Sequence, residues 1–398
     1  MQPGRFFRLV GPTAWPAPPE RFSFSSLEEL EACPRRWQYA HATWDDLPSL
    51  PQRAHPRALV GTIVHKVNER LFRALAPRGL PAVGTPAYLA GVQAAEVLPT
   101  VKAMLAEAEA EYRNHPRDPG FRVSTPPRDI ANEALRLFQA QYANAQALRS
   151  QRAATPQHAE GEGLPMPALL RRRGVLAEVS VRHPALPLRG QIDLLLDDPT
   201  GTRLVDLKTG TIKPSHRDQL ELYALMWWRM TDDLPQTLEI AHRQGRELFP
   251  LDRARLEAVE TAAAARIAAA LRVLTEAPAP PRAGSACQHC AARAFCDAYW
   301  TTQTTLRPPA DNVWIDLEIT VEAEPSPHGF MGRDPSGTTL HVVFDTDAAL
   351  RWSPFSRGER LRILGAMTEE PRVVRLVTSS EVFRGPTEAP AAGDGERP

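Results

Sequence analysis

The alternation of apolar and polar positions places the first elements. Within residues 189–228, two short apolar runs, 192–196 and 204–207, flank Asp197, Asp198, Pro199, Thr200 and Gly201. Runs of this length around turn-forming residues predict two strands joined by a short connection. VLAEVSVRH, at 175–183, alternates well enough to lead into the same sheet, and 238–240 and 247–249 suggest further strand. Helical spacing surrounds these strands. Val60, Val64, Val67, Leu71 and Leu75 mark one helix over 58–75, and Leu256, Val259, Ile267, Leu271 and Leu274 mark the buried side of another over 251–277. The order of elements predicts an α/β fold.

Earlier in the chain, FSFSSLEELEACPRRWQYAH reads as a strand-like start followed by a helix. Ser25 or Ser26 can cap it, Glu28 or Glu29 suits its positive end, and Cys33 lies in its middle. Ala- and Glu-rich stretches at 94–112 and 129–148 predict helices, separated by Pro- and Gly-rich breaks. Residues 76–170 therefore read as a helical insertion ahead of the strands, able to wall a substrate channel. A linker over 301–311 precedes several short alternating strands, which predict a small closed barrel over 311–384. An OB-like barrel is the expectation, because such barrels bind single strands. Trp314, Phe330, Phe344, Trp352 and Phe383 are its aromatics, with core the plainer role for most. Residues 1–21 read as irregular and 385–398 as disordered.

Composition narrows the partners. At 398 residues and 43% hydrophobic, two domains with a sizeable core are expected. Basic and acidic side chains balance at 47 each, so a nucleic-acid surface must be a local patch. No run approaches the roughly 18 apolar residues of a membrane span. The N-terminal MQPGRFFRLVGPTAW lacks an apolar signal core, so a cytoplasmic protein is expected, in which cysteines serve metals or chemistry. No GxxxxGK[ST] motif is present, so the chain does not read as its own ATPase motor.

Chemistry concentrates in a few residues. Asp193 and Asp206 interrupt the two strands, where acids are poor strand formers. Lys208 follows Asp206 by two and shares its face. Two carboxylates and an ammonium that converge suit hydrolysis by a hard divalent cation. The plain alternative is an exposed ion pair on a strand edge. Only four of the 47 basic side chains are lysines, however, so a generic cation here would be arginine. Gln219 and Tyr223, four apart, share a helical face. His65 interrupts the apolar side of its helix, and Gly61 would let that helix approach another backbone closely. Glu178 is a possible extra acid, though a surface strand glutamate is the plainer reading. The Arg171–Arg172–Arg173 run reads as solvated surface. Cys287, Cys290 and Cys296 form a CxxC-x5-C arrangement, and Cys33 is the fourth and last cysteine. Four thiolates can hold zinc or an iron–sulfur cluster, and spacing alone favours neither, with a zinc knuckle the default.

GQIDLLL, VDLKTG and QLELYAL, preceded by GTIVHKVNE, resemble the PD-(D/E)XK nuclease superfamily in its RecB-like branch. The CP segment at Cys33 with the distal CxxC-x5-C resembles the iron–sulfur members of the AddB type and the CRISPR-adaptation exonuclease type. The resemblance implies a restriction-endonuclease-like mixed sheet flanked by helices over 22–304. It implies a Mg2+ or Mn2+ site formed by Asp193, Asp206, the Leu207 carbonyl and His65. Lys208 would activate or position water, and Gln219 and Tyr223 would orient the lysine or the strand. Cys33, Cys287, Cys290 and Cys296 would hold a 4Fe-4S cluster that pins the two ends of the nuclease domain. The second acid is Asp rather than Glu, which the family tolerates. The implied function is a metal-dependent DNA exonuclease acting on single strands or ends in repair, recombination or antiviral defence. The alternative is a non-catalytic iron–sulfur subunit that holds DNA ends for a helicase or defence complex.

Overall fold

The computed structural model describes residues 7–44, 47, 49–118, 120–151, 164–303, 313–323, 326–352 and 354–387. In chain order the helices before the first strand are α1 (Phe24–Ala32), α2 (Pro34–His41), α3 (Pro56–Leu75), α4 (Pro86–Ala94), α5 (Val97–Glu111), α6 (Pro127–Gln151) and α7 (Met166–Arg173). The first sheet consists of β1 (Val175–Arg182), β2 (Arg189–Asp198), β3 (Gly201–Lys208), β4 (Pro235–His242) and β5 (Gly245–Pro250), in that spatial order. α8 (Pro214–Thr231) crosses between β3 and β4, the one parallel pair, and α9 (Arg253–Val273) follows β5. The fold is α/β with mixed sheets. Among the described residues, no helix is long and apolar enough to cross a membrane.

Each face of this sheet is covered by helices. Leu194, Leu196, Val205 and Leu207 pack with α3, α5 and α6 through Val64, Val67, Leu71, Ile130, Phe138 and Tyr142. Ile192, Leu195, Leu204, Leu238 and Ile240 pack with α1, α8 and α9 on the other face. Within residues 76–170, α5 and α6 thus supply part of the sheet's own core rather than only an outlying wall. Leu271 departs from the expected buried side of α9: it is 39% exposed, while Leu256, Ala263, Ile267 and Ala270 are buried where α9 packs on α8 and α1.

The first two helices correct the reading of their segment. Ser23, not Ser25 or Ser26, caps α1, and it shares a reciprocal capping box with Ser26. Cys33 lies between two helices rather than within one, in an extended conformation (φ −165°, ψ 109°). Pro34 explains this, since a proline disfavours helical geometry in the residue before it and is itself suited to a first helical turn.

Beyond α10 (Asp297–Gln303), a five-strand closed barrel is built from β6 (Trp314–Val321), β7 (Gly329–Arg333), β8 (Thr339–Phe344), β9 (Glu359–Glu370) and β10 (Val373–Leu376), with α11 (Thr346–Trp352) after β8. The strands close in the order β6-β7-β8-β10-β9, with β8 and β10 parallel and the other pairs antiparallel. β11 (Glu381–Thr387) pairs with the first half of β9, whose second half turns to β10; Gly365, at φ +66°, sits at that bend. Residues 301–303 belong to α10 and 385–387 to β11. The rest of the expected linker (304–311) and tail (388–398) lies outside the described residues.

The barrel interior is continuous with the rest of the chain. Its core residues Ile319, Leu361, Ile363 and Val374 belong to one cluster with Phe7, Trp44, Ala294 and Trp300. Phe7, in the segment expected to be irregular, packs edge-on against Trp352 and Phe383. A buried ion pair joins the same parts: Arg117 donates two hydrogen bonds of 2.7 Å to Glu381, and both side chains are 1% exposed. Burial pushes the Glu381 carboxyl up, but Arg117 and Arg53 outweigh it and hold it below its usual value of 4.5. A depressed carboxylate contributes stability above its unfolded value and loses it as pH falls through the folded one. The protein should therefore lose stability below about pH 4.5. Glu381→Ala leaves Arg117 without this buried counter-charge and should cost about 3–5 kcal/mol in chemical denaturation at pH 7. A variant as stable as the parent would show that the pair is not needed there.

Candidate active site

The β2–β3 ladder runs from Asp198↔Gly201 to Leu194↔Val205, and there the strands part. β2 continues on β1 to Arg182↔Arg189, and β3 continues on β4 to Lys208↔His242. One further step of the β2–β3 register sets Asp193 opposite Asp206. On the other side, Ala177↔Leu194 and Val179↔Ile192 set Glu178 opposite Asp193. Three carboxylates thus lie in a row across β1, β2 and β3, at the mouth of the fork. The peptide N–H of Leu207 donates to Asp193 Oδ2 at 2.7 Å and fixes that carboxylate across the gap.

Ordinary strand alternation does not produce this row. Leu176 and Val179 on β1, and Ile192 and Leu195 on β2, enter the same core three positions apart rather than two. The slip falls at the Glu178–Asp193 pair, and Glu178 takes a left-handed conformation (φ +52°) there. Side chains other than glycine adopt it at a cost of order 1–3 kcal/mol, which surrounding structure must offset.

The remaining residues close around the row. Lys208 Nζ lies 2.8 Å from Asp206 Oδ2, as shared parity requires. The contact is an ion pair without hydrogen-bond geometry, so this buried oxygen receives no hydrogen bond among the described residues. Lys208 Nζ donates to Gln219 Oε1 (3.2 Å), and Gln219 Nε2 donates to the Tyr223 hydroxyl (2.8 Å), both from one face of α8. Gly190 makes room for that face, since a Cβ there would stand 2.6 Å from the Tyr223 ring. His65 Nδ1 on α3 is 3.4 Å from Asp193 Oδ1. Gly61, one turn earlier, lies close to the Thr209 hydroxyl rather than to a backbone, and a Cβ would come within 3.2 Å of it.

Charge is costly here. Burial and the Asp193 charge push Asp206 up, with Lys208 opposing. Burial and Asp193 likewise push Glu178 up to about 7. Burial lowers His65, but the hydrogen bond and charge of Asp193, with Glu178 and Asp206 beyond, outweigh it and raise the ring. Burial lifts Tyr223 to about 12, so its hydroxyl stays protonated and can donate. His65, Glu178 and Asp193 offer ligand atoms within 4.8 Å of one another, the one such group of three among the described residues. Glu178 is the residue the sequence reading discounted. Its signal was a glutamate placed to pair with Asp193 in an antiparallel register, visible only once the register is counted.

Cys33, Cys287, Cys290 and Cys296 line a second cavity, with Arg35, Arg36, Arg282 and Arg293 around it. The peptide N–H groups of Arg282 and Gly284 point at the Cys33 and Cys287 sulfurs, each at 3.4 Å. Burial lifts the Cys290 thiol to about 11. No three of the four sulfurs lie within 4.8 Å of one another. Gln38, fully buried, ties α2 to the approaching chain, donating to the Glu276 carbonyl and accepting from the Ala279 N–H. The Arg171–Arg172–Arg173 run forms the last turn of α7, where cations suit the helix dipole, and Arg171 pairs with Asp233 at 3.0 Å. Of the barrel aromatics, Phe330, Phe344, Trp352 and Phe383 are core, whereas Trp314 is 55% exposed.

No curated protein matches the chain. The solved structures that align with it include the following two. One is a crystal structure of SSO0001, at 14% identity and a TM-score of 0.19, covering 43% of this chain and 80% of that one. The other is a murine DNA binding protein bound with ds DNA, at 7% identity and a TM-score of 0.19, covering 55% of this chain and 96% of that one. Likenesses this distant carry no argument. The family model for the PD-(D/E)XK nuclease superfamily matches residues 21–297, the span that contains the fork, the carboxylate row, Lys208 and all four cysteines, and the chain belongs to that superfamily.

Proposed function

We propose that this protein is a divalent-metal-dependent DNA nuclease of the RecB-like branch, acting on single strands from an end. The observation that carries the reading is the carboxylate row beside Lys208. Superfamily members are generally nucleases. Three acids at neighbouring positions of adjacent strands, with a buried Asp206 oxygen that meets only the Lys208 ammonium among the described residues, fit a cation better than they fit a protein without one. Asp193, Asp206 and His65 would hold Mg2+ or Mn2+, with the Leu207 carbonyl a further donor. A cation bound there would lower the pKa of a water and offset negative charge developing on phosphorus. Lys208 carries the ammonium nearest the reacting atoms, and its tie to Gln219 aims it. Tyr223 holds Gln219 in turn. The lysine is thereby set to orient the attacking water or to stabilise the leaving oxygen.

Cys33, Cys287, Cys290 and Cys296 are proposed to hold a 4Fe-4S cluster with a structural role. The four arginines suit the negative charge of a thiolate-ligated cluster, and peptide N–H groups already face two sulfurs. The barrel is proposed to be OB-like on the strength of its strand order, its parallel β8–β10 pair and the helix after its third strand. Trp314 is then the platform on which a base stacks.

Cleavage of end-labelled single-stranded DNA tests the reading directly. It should require Mg2+ or Mn2+, and EDTA should stop it. Asp193→Asn and Lys208→Ala should each lower the rate by at least about 10³-fold, several kcal/mol of transition-state stabilisation, while DNA binding persists. Cleavage by either variant at the parental rate would overturn the assignment. The protein purified without oxygen should be brown and contain iron and sulfide, and Cys290→Ser should lose both; a colourless, zinc-loaded protein would refute the cluster. Trp314→Ala should weaken single-strand binding by about 1–3 kcal/mol, read by fluorescence anisotropy.

A further inference from the structure

Glu178 lies outside the set that the superfamily motifs assign, yet the fold brings its carboxylate to the site. We propose that Glu178 is a further ligand of the catalytic cation and completes a three-sided set with His65 and Asp193; this rests on the metallonuclease reading above. The ligand atoms of these three residues lie within 4.8 Å of one another. Of the three acids in the row, Asp206 has a fixed cation, Lys208, 2.8 Å away. Asp193 has the Leu207 N–H and the His65 ring. Glu178 has only a neutral amide among the described residues, a hydrogen bond from Gln191 Nε2, and it faces Asp193 across the ladder. Like charges directly opposite in a sheet oppose folding. The left-handed backbone at Glu178 adds to that cost. Gln191 holds the carboxylate oriented, as partners of metal ligands do. A cation between Glu178, Asp193 and the imidazole offsets the repulsion. The mixture of nitrogen and carboxylate oxygen favours Mn2+ over Mg2+, which prefers oxygen alone.

The test is calorimetric titration of the full chain with MnCl2 in the absence of DNA, beside thermal unfolding in EDTA and in Mn2+. The parent should bind Mn2+, and Asp193→Asn should lose it. Glu178→Gln should weaken binding by at least about 10-fold, a loss within the range seen when groups that support a metal site are removed. In EDTA, Glu178→Gln should melt at or above the parent, because the repulsion with Asp193 is gone, and its upward shift with Mn2+ should shrink. Glu178→Gly, suited to the left-handed backbone, should fold and show the same loss of affinity. Parental Mn2+ affinity in both Glu178 variants, with binding lost in Asp193→Asn, would overturn the role of Glu178 and leave the metallonuclease standing. Earlier melting in EDTA with unchanged affinity would also overturn it, by showing a structural role. A parent that neither binds Mn2+ nor cleaves DNA would overturn both readings.

Discussion

Carboxylates placed side by side in the middle of a sheet repel one another, and the architecture around this site is arranged to hold three of them there. β2 and β3 part where the acids begin, which frees the Leu207 N–H to hold Asp193 instead of a neighbouring strand. Helices on both faces supply the compensation: α3 brings an imidazole to Asp193, and α8 brings the Gln219–Tyr223 pair that holds Lys208 against Asp206. Two glycines set how closely those helices approach, Gly61 beside Thr209 and Gly190 beneath Tyr223. The hydrophobic layers are thick enough to keep the acids partly dry, which makes their charge expensive and a bound cation favourable.

The legible parts of this molecule were those that local pattern determines. Asp193 and Asp206 stood out because acids interrupt apolar strand runs, and Lys208 because the chain otherwise uses arginine. Gln219 and Tyr223 came from the family resemblance, helical spacing put them on one face, and the structure has them hydrogen-bonded. Glu178 was not legible, because alternation was assumed to continue through β1, whereas the chain slips by one position there. The break at Cys33 was written in the following proline but was read through. Phe7 was missed for another reason: its partners, Trp352 and Phe383, lie more than three hundred positions away, and no periodicity reports such a contact. Residues 76–170 were hard to place because α5 and α6 meet the sheet through a core that only the folded chain defines.

The cysteine cavity and the barrel belong to one problem of joining distant parts of the chain. Cys33 comes from the start of the nuclease region and the other three from its end, and Gln38 and Arg35 already bond the backbone of that end. On either side of the last cysteine, Tyr299 donates to Asp316 on β6, and Arg362 on β9 donates to the Ala294 carbonyl. The thiol-rich turn is therefore sandwiched between the first helices and the barrel wall.

That the barrel and the thiol-rich turn share one apolar interior bears on how such a chain could be assembled or divided. A module joined to its neighbour by a tether can be exchanged, lost or moved without exposing either interior. Here, severing the chain after the nuclease region would uncover Trp44, Phe295 and Trp300 on one piece and Ile363 and Phe383 on the other. A larger side chain on one half must be accommodated by a smaller one across the seam, so the two interiors are packed as one.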